Sequence, residues 1–136
     1  MEACVFVDGE NFRHSIVNLF PHFHQEDYLP KLANWTEFFD WIVRNVTDNT
    51  YERIRTYWYV IKSVDFYPYS FQKRFNGWIA IQDGISSRHK AIEFRQAGYI
   101  NFRLFDNSLG KEKAVDVKLA TDLIVLKDIY DIAIIV

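Results

Sequence analysis

The stretch that most constrains the fold is the start of the chain. Ala3 to Val7 is an unbroken apolar run that stops at Asp8-Gly9-Glu10-Asn11. Apolar residues without alternation predict a strand buried on both faces, and therefore a parallel sheet with helices on each side. Phe12, Ile16, Leu19 and Phe20 then recur at helical spacing. The polar tetrapeptide is thus a strand-to-helix turn, with Asp8 or Asn11 placed to cap the helix.

The same logic orders the rest of the chain. Pro21 to Pro30 reads as a loop. Trp35, Phe38, Phe39, Ile42, Val43 and Val46 follow the i, i+3, i+4, i+7 pattern behind Asn34 as N-cap, with Glu37 three residues later. Glu52 to Ile61 alternates, with Ile54, Trp58 and Val60 on one side and Arg53, Arg55, Tyr57 and Tyr59 on the other. Between Lys62 and Gly98, Phe71, Phe75 and Trp78 suggest one helix and Ser86 to Ala97 another, stopped by Gly98. Tyr99 to Phe105 is strand-like, Asp106 to Lys111 a turn, and Lys113 to Asp128 a helix before the apolar strand at Ile132 to Val136. The predicted order is β-α-α-β-α-α-β-α-β in one domain. That alternation implies a three-layer α/β/α sandwich with a mostly parallel, Rossmann-like sheet and right-handed crossovers.

Composition narrows the setting. With 136 residues, 49% of them hydrophobic, the chain is long enough for a core that needs no disulfide or structural zinc, and its one cysteine cannot form an internal bridge. No apolar run reaches the length of a membrane span, and the N-terminus carries acidic rather than basic residues. A soluble cytoplasmic protein with no membrane contact is expected. Sixteen basic against 18 acidic side chains also exclude a protein that coats nucleic acid by net charge.

In an open parallel sheet, ligands bind beyond the carboxyl ends of the strands. Asp8 ends the first strand there, next to a helix start that favours anions, and suits a metal ion bridging to phosphate. The plainer reading is that Asp8 and Asn11 only cap the turn. Along the helix after Lys113, with Val115 at 0°, Leu119, Leu123 and Leu126 fall within about 80° of one another. Asp116 at about 100° and Asp122 at about −20° border that apolar stripe. A carboxylate on such a border must be paired, hydrogen-bonded or metal-bound. Asp116, in the first turn, is the better metal ligand. Asp122, roughly 9 Å further along, is better suited to bracing a neighbour.

Val7-Asp8-Gly9-Glu10-Asn11, together with Gly110 to Leu123 (GKEKAVDVKLATDL) and Tyr130 to Val136 (YDIAIIV), resembles the two ends of a NYN domain, the LabA-like branch of the PIN-like nuclease superfamily. The resemblance spans essentially the whole chain. It implies a PIN-like α/β sandwich that cleaves RNA with Mg²⁺ or Mn²⁺. Asp8 and Asp116 would be catalytic metal ligands, and Asn11 and Asp122 supporting positions. In such domains a Ser-Gly-Asp-x-Asp-Phe-like segment, a helix and usually a strand follow the strand that ends here at Val136. The resemblance therefore implies a domain lacking its C-terminal elements. The alternative is a catalytically silent RNA-binding or protein-interaction module of the same fold.

Other features carry less. Lys111, Lys113, Arg88 and Lys90, with His89, Lys73, Arg74, Arg53 and Arg55, could line a phosphate-binding surface or simply form a solvated charged face. His22 and His24 with Glu26 and Asp27 lie in a Pro-bounded loop and read as solvated. Aromatic residues crowd the middle third, as core, as stacking platforms for unpaired bases, or as a homodimer surface. Neither G-x-G-x-x-G nor G-x-x-x-x-G-K-[ST] follows the first strand, which disfavours nucleotide cofactors. A dehalogenase-type phosphatase would need an Asp where Glu10 stands. A receiver-like domain would need an acidic residue ending a middle strand, which Asp65 supplies only loosely.

Overall fold

The computed structural model describes residues 1–19, 29–30, 33–65, 69–103, 106, 108–110 and 114–136. β1 (Glu2–Asp8) leads into α1 (Gly9–Leu19), α2 (Trp35–Val46) and β2 (Glu52–Val60). Then come β3 (Ser63–Asp65), α3 (Tyr69–Arg88), β4 (Ile92–Gln96), β5 (Tyr99–Arg103), β6 (Ser108–Leu109), α4 (Val115–Val125) and β7 (Ile132–Ile135). The main sheet has the order β4-β2-β1-β7 and every pairing in it is parallel. A small second sheet, β3-β5-β6, pairs β3 with β5 in parallel and β5 with β6 antiparallel.

The apolar start occupies the interior position its composition demands, and Ala3 to Val7 are all fully buried. The connections from β1 to β2 to β4 carry α1, α2 and α3, and their side chains meet on the Trp58 face of the sheet. The return from β4 across to β7 places α4 on the other. On the first face Trp58 is the hub, with Phe12, Trp35, Phe39 and Phe94 at ring-centroid distances of 4.9–5.5 Å. The guanidinium of Arg13, on α1, lies 5.1 Å from the ring of Trp78 on α3, tying those helices together. On the second face Phe6 stacks with Tyr57 and meets Tyr130 edge-on.

The result is the expected three-layer α/β/α sandwich, with differences in detail, among them the strand β6 inside the stretch read as a turn. Ser86 to Ala97 is not a helix. α3 is one helix through Arg88, and Ile92–Gln96 is a strand, because Phe94 packs on Trp58 while Glu93 and Arg95 point the other way. Gly98, at φ 70°, turns the chain from β4 to β5 rather than ending a helix. Arg53 does not share a face with Tyr57 and Tyr59. The β1–β2 register jumps from Ala3↔Arg53 to Cys4↔Arg55, and this bulge sends Arg53 to Asp40 on α2, 2.8 Å away. Among the described middle-segment aromatics, Tyr57, Trp58, Tyr59, Phe71 and Trp78 are buried. The Asn34 cap is realised: its side-chain oxygen accepts from the Glu37 N–H at 3.0 Å, and its amide donates to the Glu37 carboxylate at 3.3 Å. The loop histidines, and most of Pro21 to Pro30, lie outside the described residues. Among the described residues no helix is long and apolar enough to cross a membrane.

Gly9 sets how closely α1 can approach the sheet. A Cβ there would stand 2.1 Å from the Tyr59 carbonyl oxygen, a contact no side chain can make. Gly77, inside α3, has nothing within 4 Å of the same atom. Gly9→Ala is expected to lower unfolding free energy by about 2 kcal/mol or more. Gly77→Ala is expected to raise it by about 0.5–1 kcal/mol. Urea denaturation of the two variants checks the contrast.

Candidate functional site

Chain order in the sheet reverses at β1: β2 and β4 lie to one side of it and β7 to the other. The crevice at such a switch point is where open α/β sheets bind ligands. Asp8 stands at its lip. Its backbone N–H donates to the Val136 carbonyl at 3.0 Å, and the Val136 N–H donates to Phe6 at 2.9 Å, so the ends of β1 and β7 are level. The Asp8 carboxylate accepts from the Asn11 side-chain amide at 3.1 Å and from the Asn11 backbone N–H at 3.4 Å. The cap and the candidate site are therefore the same residues, with Asn11 holding Asp8 in one orientation. Glu10, in the same turn, is buried and faces elsewhere. Arg13 holds it through Nη2 at 2.9 Å and Nε at 3.3 Å.

The direction of α4 fixes the height of Asp116. The end of α4 is tied to the amino end of β1: Asp131 N–H donates to the Glu2 carbonyl at 2.8 Å, and Tyr130 Oη donates to the Leu123 carbonyl at 2.6 Å. The first turn of α4 therefore lies toward the carboxyl ends of the strands, the end that carries Asp8. Asp116 is exposed, and one of its oxygens accepts from the Val117 N–H at 3.0 Å. Ala114, just before, adopts a left-handed conformation at φ 71°. Such a conformation costs a non-glycine residue about 1 kcal/mol or more.

Asp122 is only 2% exposed and has three donors. Tyr59 Oη and Arg95 Nη1 each reach Oδ2 at 2.8 Å, and Lys118 Nζ reaches Oδ1 at 3.0 Å. Burial pushes this carboxyl up, but the bonds from Tyr59, Arg95 and Lys118 outweigh it and hold it below the usual carboxylate range. Burial first, and then the bond to Asp122, push the Tyr59 phenol far up, so it stays a donor. Arg95 is held twice more, by Glu93 at Nε (3.2 Å) and by stacking 4.7 Å from the Tyr57 ring centre. The border position of Asp122 was legible in helix arithmetic. Tyr59 and Arg95 were not, since they lie 63 and 27 residues away.

Asp8, Asn11 and Asp116 thus share one end of the sheet, with Asp122 below them. Arg88 and Lys90 lie before the first residue of β4, at the opposite end, and Lys111 and Lys113 lie outside the described residues. Among the described residues no group of three or more His, Cys, Asp or Glu is placed to hold a metal ion. The two carboxylates nearest the crevice are nevertheless oxygen donors of the kind Mg²⁺ and Mn²⁺ take, with water and phosphate oxygens completing the shell.

Asp122→Asn, which breaks two charge pairs at a buried site, is expected to cost about 2–4 kcal/mol by urea denaturation. Asp116→Asn is expected to stay within about 0.5 kcal/mol. Because the folded-state pKa of Asp122 is depressed, its stabilisation is present above about pH 4, the unfolded value, and is lost as pH falls below it. The acid limb of a stability–pH curve should flatten in Asp122→Asn.

The family model of the NYN domain matches residues 2–136. Comparison with curated proteins and with solved structures finds no match. A family match over all but the first residue, on a doubly wound sheet with an aspartate at its switch point, shows that this chain belongs to the NYN family, whose domain has the PIN-like, nuclease-like fold.

Proposed function

We propose that this domain is a metal-dependent ribonuclease that hydrolyses RNA phosphodiester bonds at the carboxyl end of β1. The observation that carries this reading is the placement of Asp8 at the switch point, oriented by Asn11, with Asp116 at the same end. Asp8 and Asp116 would hold Mg²⁺ or Mn²⁺. When bound, such an ion activates water and offsets charge on the leaving oxygen. The chain's own part is to aim the two carboxylates. Asn11 donates to Asp8, and the Asp122 network fixes α4 and hence the height of Asp116. Two carboxylates hold Mg²⁺ weakly without substrate phosphate, so substrate and metal would bind together. A cytoplasmic setting agrees with the one cysteine, Cys4, being a buried free thiol.

A second reading is a catalytically silent RNA-binding or protein-interaction module. It draws on the same small number of carboxylates, since no group of three stands together among the described residues. RNA cleavage measured with Mn²⁺ and with EDTA separates the two. The nuclease reading expects cleavage with Mn²⁺ only. It expects Asn11→Ala to reduce the rate about 10–100-fold and Asp8→Asn to reduce it further. Cleavage indifferent to EDTA and to Asp8→Asn would overturn the mechanism. RNA binding without cleavage would favour the silent module.

A further inference from the structure

Asp8, Tyr59 and Arg95 form one register row across β1, β2 and β4. In parallel strands such a row points to one side of the sheet, here the side of α4, where Tyr59 and Arg95 both meet Asp122. Two strand spacings put the Arg95 backbone on the order of 10 Å from that of Asp8. α4 packs on β1 and β2, and Arg95 of β4 reaches it through Asp122. The side chains of Arg95, Lys118 and Glu93 are 26%, 44% and 41% exposed.

Arg95 and Lys118 both meet the buried Asp122 carboxylate, and Arg95 also pairs with the more exposed Glu93, so displacing Glu93 would leave one positive charge at this face. The geometry also leaves both cations with donors to spare. Arg95 uses Nε for Glu93 and one Nη1 hydrogen for Asp122, and among the described residues its Nη2 makes no hydrogen bond. Lys118 uses one of three ammonium hydrogens. Stacking on Tyr57 and the Asp122 bond have already fixed the guanidinium, so gripping an anion requires little further ordering. Planar, pre-oriented guanidinium groups suit phosphate.

We propose that Arg95 and Lys118 grip a backbone phosphate of single-stranded RNA leading to the acidic crevice, with Glu93 as the group that phosphate displaces from Arg95. They are positioning residues, and Asp122 is their anchor. The inference rests on the ribonuclease reading in taking RNA as the ligand. It adds which face the strand crosses: the α4 side toward β4, rather than the Arg88 and Lys90 end.

Binding of a fluorescein-labelled oligouridylate to the full chain, followed by anisotropy in EDTA between about 50 and 200 mM salt, tests this apart from catalysis. Arg95→Gln and Lys118→Gln should each make the slope of log affinity against log salt shallower by about 0.7, the loss of one phosphate contact. Glu93→Gln should tighten binding. Lys127→Gln, past the far end of α4, should leave the slope unchanged. If Arg95→Gln fails to fold, the half-exposed Lys118 carries the test alone. Wild-type binding with unchanged slopes in both cation variants, or weaker binding by Glu93→Gln, would overturn this inference while leaving the nuclease reading intact. Absence of wild-type RNA binding in EDTA would overturn this inference, while the cleavage assay with Mn²⁺ decides the nuclease reading separately.

Discussion

A carboxylate removed from water must have its charge met inside the protein, and Asp122 has it met from three elements. Tyr59 reaches it from β2, Arg95 from β4 and Lys118 from its own helix. These bonds fix the rotation and height of α4 against the sheet more tightly than its apolar stripe does, because a hydrogen bond is directional and hydrophobic contact is not. The height matters for function, since Asp116 rides about 9 Å up the same helix. Loosening Asp122 would let the exposed carboxylate drift relative to Asp8.

The acidic residues near the crevice accordingly divide their work. Asp8 is half-buried, and among the described residues its carboxylate is held by the amide donors of Asn11, which orient it without a countercharge. Asp116 is exposed. Glu10 is neutralised by Arg13, and Asp122 by Arg95 and Lys118. Among these described residues, Asp8 and Asp116 are the pair that keeps charge to offer a cation. Gly9 makes the arrangement compact, because the Tyr59 carbonyl occupies the space a side chain would take.

What was legible in the sequence followed from local chemistry. An unbroken apolar run yields a two-faced buried strand, as Ala3 to Val7 show, and a capping Asn with Glu three residues on yields α2. Asp122 could be placed on a border by angle alone. The failures share one cause, which is that tertiary contacts decide them. Ile92 to Gln96 is too short for its period to distinguish strand from helix, and Phe94 meeting Trp58 settles it. Gly77 and Gly84 weaken the helical signal of α3, which runs unbroken through both. A bulge between paired strands leaves no local mark, so Arg53 was assigned to the wrong face. The Arg95 and Tyr59 partners of Asp122 needed the sheet order before they could be found.

The division between Asp8 and Asp116 on one side and Asp122 on the other is the centre of this account. Its most direct test is Mn²⁺ binding followed by the electron spin resonance signal of free Mn²⁺, in the presence of an uncleavable RNA and under conditions where each variant is folded. Asp8→Asn and Asp116→Asn are each expected to abolish binding, while folded Asp122→Asn retains it with at most about a 10–100-fold loss of affinity. Undiminished binding in Asp8→Asn, or a loss in Asp122→Asn as complete as that in Asp8→Asn, would contradict this division.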